Sequence, residues 1–163
     1  MQILVCYYSK TGKTKKLALA IEDGANSVEG ITVLCKDVNS VTSDDFVNSS
    51  GLIVGSPVYF GSMASDVKKM LDKFVGFRKM MENKIGAAFA TSGDMSGGKE
   101  TTMLSIIQAF LIYGMIVVGD PLSATGHYGV SCVGEPSQKD LENGFKLGKR
   151  VAELVKRLFL GKD

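Results

Sequence analysis

The strongest constraint on this chain is an alternation: short, continuous apolar runs are interleaved with segments of helical periodicity. Ile3 to Tyr8 opens the series as an unbroken apolar run, the mark of a strand covered on both faces. Thr14 to Asp23 follows, with Leu17, Ala18 and Ile21 on one helical face. Further strands are expected at Ile31–Cys35, Leu52–Gly55, Ile85–Ala90 and Met115–Val118, with a short polar piece around Ser43 to Val47. Val67, Met70, Leu71 and Phe74 sit at helical spacing, and Met103, Ile106, Ile107 and Phe110 share a second face that ends at Gly114. Ser137, with Asp140 three residues on, caps a final helix whose apolar face reads Leu141, Phe145, Gly148, Val151, Ala152, Val155, Phe159. Strands alternating with helices in this way dictate a parallel sheet with helices on both sides. The expectation is a single three-layer α/β domain over residues 1–163 with five strands.

Composition closes off other classes. With 45% apolar residues in 163, the chain buries a core as one domain and is not disordered. Nineteen bases against 17 acids, a net charge of +2, give no push toward a nucleic-acid partner. Cys6, Cys35 and Cys132 are too few and too scattered for a disulfide framework or a metal site. An odd cysteine count and the lack of a basic region before the first apolar run lead to the expectation of a cytoplasmic protein. Cys6 and Cys35 are expected as small buried strand residues, and Cys132 as a loop thiol. Met103 to Gly119 approaches the roughly 20 apolar residues of a membrane span. Ser105, Gln108 and Gly114 interrupt it, so it is read as a buried helix followed by a buried strand.

Parallel sheets of this kind bind ligands outside the carboxyl ends of their strands. Many of the 19 glycines fall in the loops expected there: Gly12, Gly55, Gly61, Gly93, Gly97, Gly98, Gly119, Gly126 and Gly129. Glycine serves where backbone turns sharply or approaches a ligand closely, so these loops read as a ligand rim.

The first of them is the most informative. Ser9-Lys10-Thr11-Gly12-Lys13-Thr14 leads from a strand into a helix. Its hydroxyls and the converging N–H groups of a helix N-terminus suit a phosphate monoester. Lys13, Lys15 and Lys16 crowd the first turn, where the helix macrodipole disfavours each cation by some tenths of a kcal/mol, and no acid lies beside them in the sequence. A bound anion accounts for this, and so do solvated lysines. A nucleotide-binding P-loop is excluded, because the required earlier glycine is Tyr7. A receiver domain is excluded because Cys6-Tyr7-Tyr8 and Gly55-Ser56 stand where it needs acids.

On these residues the chain resembles the flavodoxin-like FMN proteins. Within them it is most similar to the tryptophan-repressor-binding-protein type of NAD(P)H:quinone oxidoreductase, the multimeric flavodoxins. Tyr7 to Thr14 stands where that family holds the FMN phosphate. Gly55-Ser56-Pro57-Val58-Tyr59-Phe60-Gly61-Ser62-Met63 resembles its loop beside the isoalloxazine ring. Thr91-Ser92-Gly93-Asp94, followed by Gly97-Gly98-Lys99-Glu100-Thr101-Thr102, resembles its third loop. Leu111 to Met115 and His127-Tyr128-Gly129 continue the match, with Tyr113 where the family commonly has histidine near the flavin. The chain departs from the family in its short segment Lys36 to Ser50, in Tyr59 where an arginine is usual, and in having no tryptophan. Its net charge of +2 also departs from the acidic one-electron flavodoxins.

The resemblance implies a flavodoxin-like sandwich with strand order 2-1-3-4-5 and FMN as cofactor. It places Ser9, Lys10, Thr11, Gly12, Lys13 and Thr14 at the phosphate. Pro57, Val58, Tyr59, Phe60, Gly61, Thr91, Ser92, Gly93, Asp94, Gly97, Tyr113 and His127 complete the cofactor set, with Tyr59 or Phe60 against the ring. A flavin carries its own redox chemistry, so no catalytic acid–base pair is required. The implied activity is two-electron transfer from NAD(P)H to a quinone or similar acceptor, in a homodimer or homotetramer. An electron carrier docking to redox partner proteins is an alternative, and a flavin-free interaction domain is another. His127, the only histidine, reads equally as a structural residue or as part of the flavin edge, and Tyr128 as lining the cleft or covering the sheet.

Overall fold

Five consecutive buried residues run along β1 (Gln2–Tyr7), which has a parallel neighbour on each side. Ile3 pairs with Val33 of β2 (Thr32–Asp37) and with Gly51 of β3 (Gly51–Tyr59). All eight residues of β5 (Ile85–Ser92) are buried alongside β3. The computed structural model describes residues 1–160. Its sheet runs β2-β1-β3-β5-β6, and β4 (Ser62–Met63) folds back antiparallel on the end of β3.

Strand residues point alternately to the two faces, and each face has its own core. Ile3, Val5, Ile53, Ala87 and Phe89 pack with residues of α1 (Lys13–Asn26) and α6 (Gln138–Leu160). Leu4, Cys6, Leu52 and Val54 pack with Phe46 of α2 (Ser43–Asn48), Val67 and Met70 of α3 (Ser65–Lys73), Met81 of α4 (Arg78–Met81) and Phe110 of α5 (Lys99–Ile112). The three-layer α/β sandwich is therefore the fold. Its parallel strands, counted without the short antiparallel β4 and with two strands sharing the fifth position, stand in the expected 2-1-3-4-5 order. No helix among the described residues is long and apolar enough to cross a membrane.

The fifth strand position differs from the expectation in its composition. β6 (Ile116–Val117) is only two residues long and pairs with Ile85 and Gly86. The chain then leaves the sheet over residues 118–128 and returns as β7 (Gly129–Val133), parallel to Ala88–Ser92. Gly119, Gly126 and Gly129 thus lie along the side edge of the sheet, away from the carboxyl rim where the sequence placed them. Cys132 is a buried strand residue, not a loop thiol, and burial pushes its pKa up to about 11. It stays protonated and unreactive at neutral pH. Cys6 is buried as expected, and Cys35 is half-buried on the edge strand β2.

Asp120 organises that excursion. The residue is 2% exposed, and its carboxylate accepts hydrogen bonds from Thr125 N, Thr125 Oγ1, Gly126 N and His127 N at 2.6 to 2.9 Å. Arg150 of α6 donates to the carbonyls of Gly119 and Asp120 and ties the loop to the helix layer. Burial alone would raise the carboxyl pKa, but the hydrogen bonds outweigh it and hold the pKa below the ordinary 3.8. A depressed carboxylate contributes stability that is present above the ordinary pKa and lost as pH falls through the folded value, here below pH 3.8. Asp120→Ala is expected to cost about 2 kcal/mol at pH 7 by orphaning these donors. Its deficit relative to the parent should shrink in urea melts carried below pH 3.8; a deficit unchanged by pH would show that the carboxylate charge has no part in holding the loop.

Candidate functional site

The rim is built where β1, β3, β5 and β7 end. β1 passes into α1 through Gly12, whose φ of +87° makes it a left-handed N-cap without a side-chain cap. Lys15 N donates to Ser9 Oγ and Lys16 N to Gly12 O. No acceptor among the described residues takes the backbone N–H groups of Lys10 to Thr14. These donors stand at the positive end of the α1 macrodipole, the arrangement that holds an anion. Lys10, Thr11 and Gly12 are exposed, Ser9 and Lys13 are half-buried, and Thr14 is buried.

Thr14 is tied to the next loop but one. Its Oγ1 lies 2.8 Å from Thr91 Oγ1, at the end of β5. The first and second loops meet through Tyr8 N, which donates to Gly55 O, and through the Tyr8 and Tyr59 rings, edge-on at 6.4 Å. The nearby Asp66 carboxylate raises the Tyr8 phenol pKa.

β3 and β4 form a hairpin whose tip is Phe60-Gly61, with φ of +51° and +74°. Two-residue turns with both φ positive favour Asn-Gly, and a bulky residue there is an outlier costing on the order of 1 kcal/mol. Phe60 takes that conformation with its ring wholly exposed, at 109% relative exposure. An apolar ring held outward at such a cost marks a surface that works by contact. Behind the tip, Ser56 Oγ accepts from Ala64 N and donates to Pro57 O, and Met63 N donates to Ser105 Oγ of α5. Val58 packs against the core, so within Pro57 to Gly61 the freely presented side chains are those of Tyr59 and Phe60.

The loop after β5 closes on this hairpin. Ser92 Oγ donates to Asp94 O and accepts from Asp94 N. Asp94 Oδ1 accepts from Ser96 N and Oγ, bonds that hold its carboxyl below the ordinary range. A Cβ on Gly97 would stand 2.2 Å from Ser92 Oγ, so the turn requires glycine. Gly98, the left-handed N-cap of α5, lies so near the hairpin that a Cβ there would come 2.9 Å from Gly61 Cα. Open space surrounds Gly93, and Met95 is exposed beside it.

Two of the residues expected in the site are placed elsewhere. Tyr113 caps the far end of α5, buried against Phe46, with its hydroxyl donating to Leu71 O. That end of α5 joins the chain beside the start of β5, at the opposite edge of the sheet from the rim. His127 lies in the excursion, its carbonyl against Gly119 and its N–H on Asp120. It enters the sheet at Gly129, paired with Ala88, four residues and roughly 13 Å short of the rim. Neither is brought together with Ser9 to Thr14, Pro57 to Gly61 and Thr91 to Gly97.

One rim residue went unread in the sequence. Glu135, in the turn after β7, pairs with Lys16 at 2.8 Å, and this contact holds its carboxyl below the ordinary range. The α1 lysines therefore do have an acid beside them. It comes from 119 positions away, with Gly134 N anchored on Ser92 O. The only sequence signal was its position just before the Ser137–Asp140 cap, which the structure forms through Ser137 N and Oγ to Asp140 and Asp140 N to Ser137 Oγ. A groove of about 940 Å³ on the α1/α6 face, bordered by Leu19, Leu141 and Phe145, shares Lys16 with this rim.

Comparison with known proteins agrees with this geometry. The family model described as NADPH-dependent FMN reductase matches residues 36–129. A flavodoxin of Aquifex aeolicus is 37% identical over 160 residues, covering 94% of this chain and 86% of its own. An NAD(P)H dehydrogenase (quinone) of Archaeoglobus fulgidus is 32% identical over 189 residues, covering 96% and 98%. Among solved structures, a flavodoxin from the domain Archaea superposes with a TM-score of 0.80 at 30% identity, over 96% of this chain and 99% of that one.

Proposed function

The chain belongs to the NADPH-dependent FMN reductase family and binds FMN, and from that premise we propose that it transfers two electrons from NAD(P)H to a quinone or similar small acceptor. The residues fit the cofactor. The uncapped turn at Gly12 offers unspent N–H donors to a phosphate, and the hairpin at Tyr59-Phe60 offers aromatic faces to a flat ring.

In this reading Ser9 to Thr14 hold the phosphate, with Thr91 buried behind Thr14, while Pro57 to Gly61 and Ser92 to Gly97 border the ring. FMN, when bound, supplies the electron-transfer chemistry. The protein's part is position and shielding. The Gly98–Gly61 approach and the Ser105–Met63 hydrogen bond fix the two ring loops against each other. Tyr59, Phe60 and Met95 supply an apolar border that excludes water from the reacting edge.

The observation that carries the enzymatic reading is Phe60, whose exposed ring is presented to an incoming apolar molecule rather than packed. The surface charge points the same way. A small carrier that docks by electrostatics profits from a strongly charged face of one sign, whereas this chain has a net charge of +2 and balances Lys16 with Glu135 at the rim. The carrier reading is favoured instead by the likeness to proteins named flavodoxin.

The test is oxidation of NADPH and NADH by the FMN-loaded protein with a soluble quinone. Turnover well above that of free FMN is expected, and Phe60→Ala should lower kcat/KM about tenfold, with the loss concentrated in KM. No acceleration over free FMN would leave the carrier reading in its place.

A further inference from the structure

The Thr14–Thr91 contact has an unbalanced proton count. Each hydroxyl has one O–H to donate and two lone pairs to accept with. Both residues are buried, Thr14 at 2% and Thr91 at 6% exposure, and their 2.8 Å contact uses one of the two protons. Neither hydroxyl has another hydrogen-bond partner among the described residues. One buried donor is therefore left without an acceptor, which ordinarily costs about 1–3 kcal/mol. The surroundings do not relieve it, because the first turn of a helix presents N–H donors and no carbonyls.

We propose that the missing acceptor is a phosphate oxygen of the cofactor, and that Thr91 donates to Thr14 so that the Thr14 proton is the one left for the ligand. The proposal rests on the phosphate reading of Ser9 to Thr14. Thr91, at the end of β5, is then a positioning residue that acts through Thr14. A threonine in a helix splits between two side-chain rotamers, and the bond from Thr91 selects one of them. Accepting the hydrogen bond from Thr91 also polarises the Thr14 hydroxyl, as chains of hydrogen bonds do. The direction of the Thr14–Thr91 bond is set by the anion: without one, either hydroxyl can donate.

The experiment measures FMN and riboflavin affinity of the apoprotein by flavin fluorescence, for the parent chain and for Thr91→Val and Thr91→Ser. The parent should prefer FMN. Thr91→Val, isosteric and suited to a strand, should weaken FMN by about three- to tenfold and leave riboflavin within about twofold. Thr91→Ser should restore the parent affinity. Melting of each apoprotein with and without inorganic phosphate provides an independent reading, and the rise in Tm with phosphate should be smaller for Thr91→Val than for the parent. Equal losses for FMN and riboflavin, or no loss for either, would overturn the relay and leave the pair as packing. A parent chain that binds both flavins equally would instead overturn the phosphate reading itself, whatever Thr91 does.

Discussion

Gly148→Ala should destabilise the protein by about 3 kcal/mol, although alanine is favoured over glycine inside a helix by about 1 kcal/mol. The packing of α1 on α6 decides the sign. A Cβ on Gly148 would stand 1.9 Å from Ile21 O and 2.9 Å from Ala25 N, both backbone atoms of α1. Gly24 answers from the other helix, where a Cβ would stand 1.9 Å from Phe145 O. Backbone cannot swing aside as a side-chain tip can, so the helices must separate. Separation loosens Leu17, Ile21, Leu147 and Val151, all fully buried in the shared core. Overpacking of this kind outweighs the gain in propensity. Urea unfolding is the measure: a lower midpoint with an unchanged slope is expected. A variant as stable as the parent would mean that α1 and α6 are held farther apart than this geometry has them.

That glycine also shows how far the sequence could be read. Gly148 lay on the apolar face assigned to the last helix, but its neighbours on that face were only partly right. Val151, Ala152 and Val155 are buried, as is Leu147, which the assigned face left out, while Phe145 and Phe159 are each 38% exposed. Hydrophobicity alone weights a phenylalanine above a glycine, whereas close helix contact selects the residue with no side chain. Periodicity located the strands and the order of layers because each strand in a doubly covered sheet must be apolar throughout.

The split of the fifth strand was hidden for a different reason. A polar, glycine-containing segment between two apolar runs looks the same whether it crosses the rim or bulges from the side edge. Only the pairing of Gly129 with Ala88 separates the two cases. His127 was misplaced with that segment. Tyr113 was assigned by likeness to a family, and the length of α5 contradicts the placement. Fourteen residues at about 1.5 Å each carry its end some 20 Å from the rim at which the helix begins. Residues contiguous with a strand end (Ser9 to Thr14, Pro57 to Gly61 and Thr91 to Gly97) fell where expected, because the register of the strands fixes them. Asp120 and Glu135 act through partners that only the folded chain brings near, and no local spacing announces them.

FMN should bind at least about 100-fold more tightly than riboflavin, since two or more charge-assisted hydrogen bonds at the α1 N-terminus are each worth about 1.5 kcal/mol or more. Donors at a left-handed glycine cap, with no internal acceptor, lose little when an anion arrives, for their alternative is only water. Lys13, Lys15 and Lys16 add a longer-range attraction that salt screens over a Debye length of roughly 10 Å at 0.1 M. The preference should therefore shrink as ionic strength rises but not vanish, because the hydrogen-bonded part is local. Glu135 opposes the same attraction by neutralising Lys16. Glu135→Gln should accordingly strengthen FMN binding a few-fold at low salt, with no change for riboflavin. Fluorescence titrations of both flavins at low and high salt separate these contributions. Equal affinities at every salt concentration would mean that the α1 turn holds no phosphate and that its lysines are simply solvated. A preference that salt abolishes entirely would assign the site to the lysines alone and remove the Gly12 turn from it.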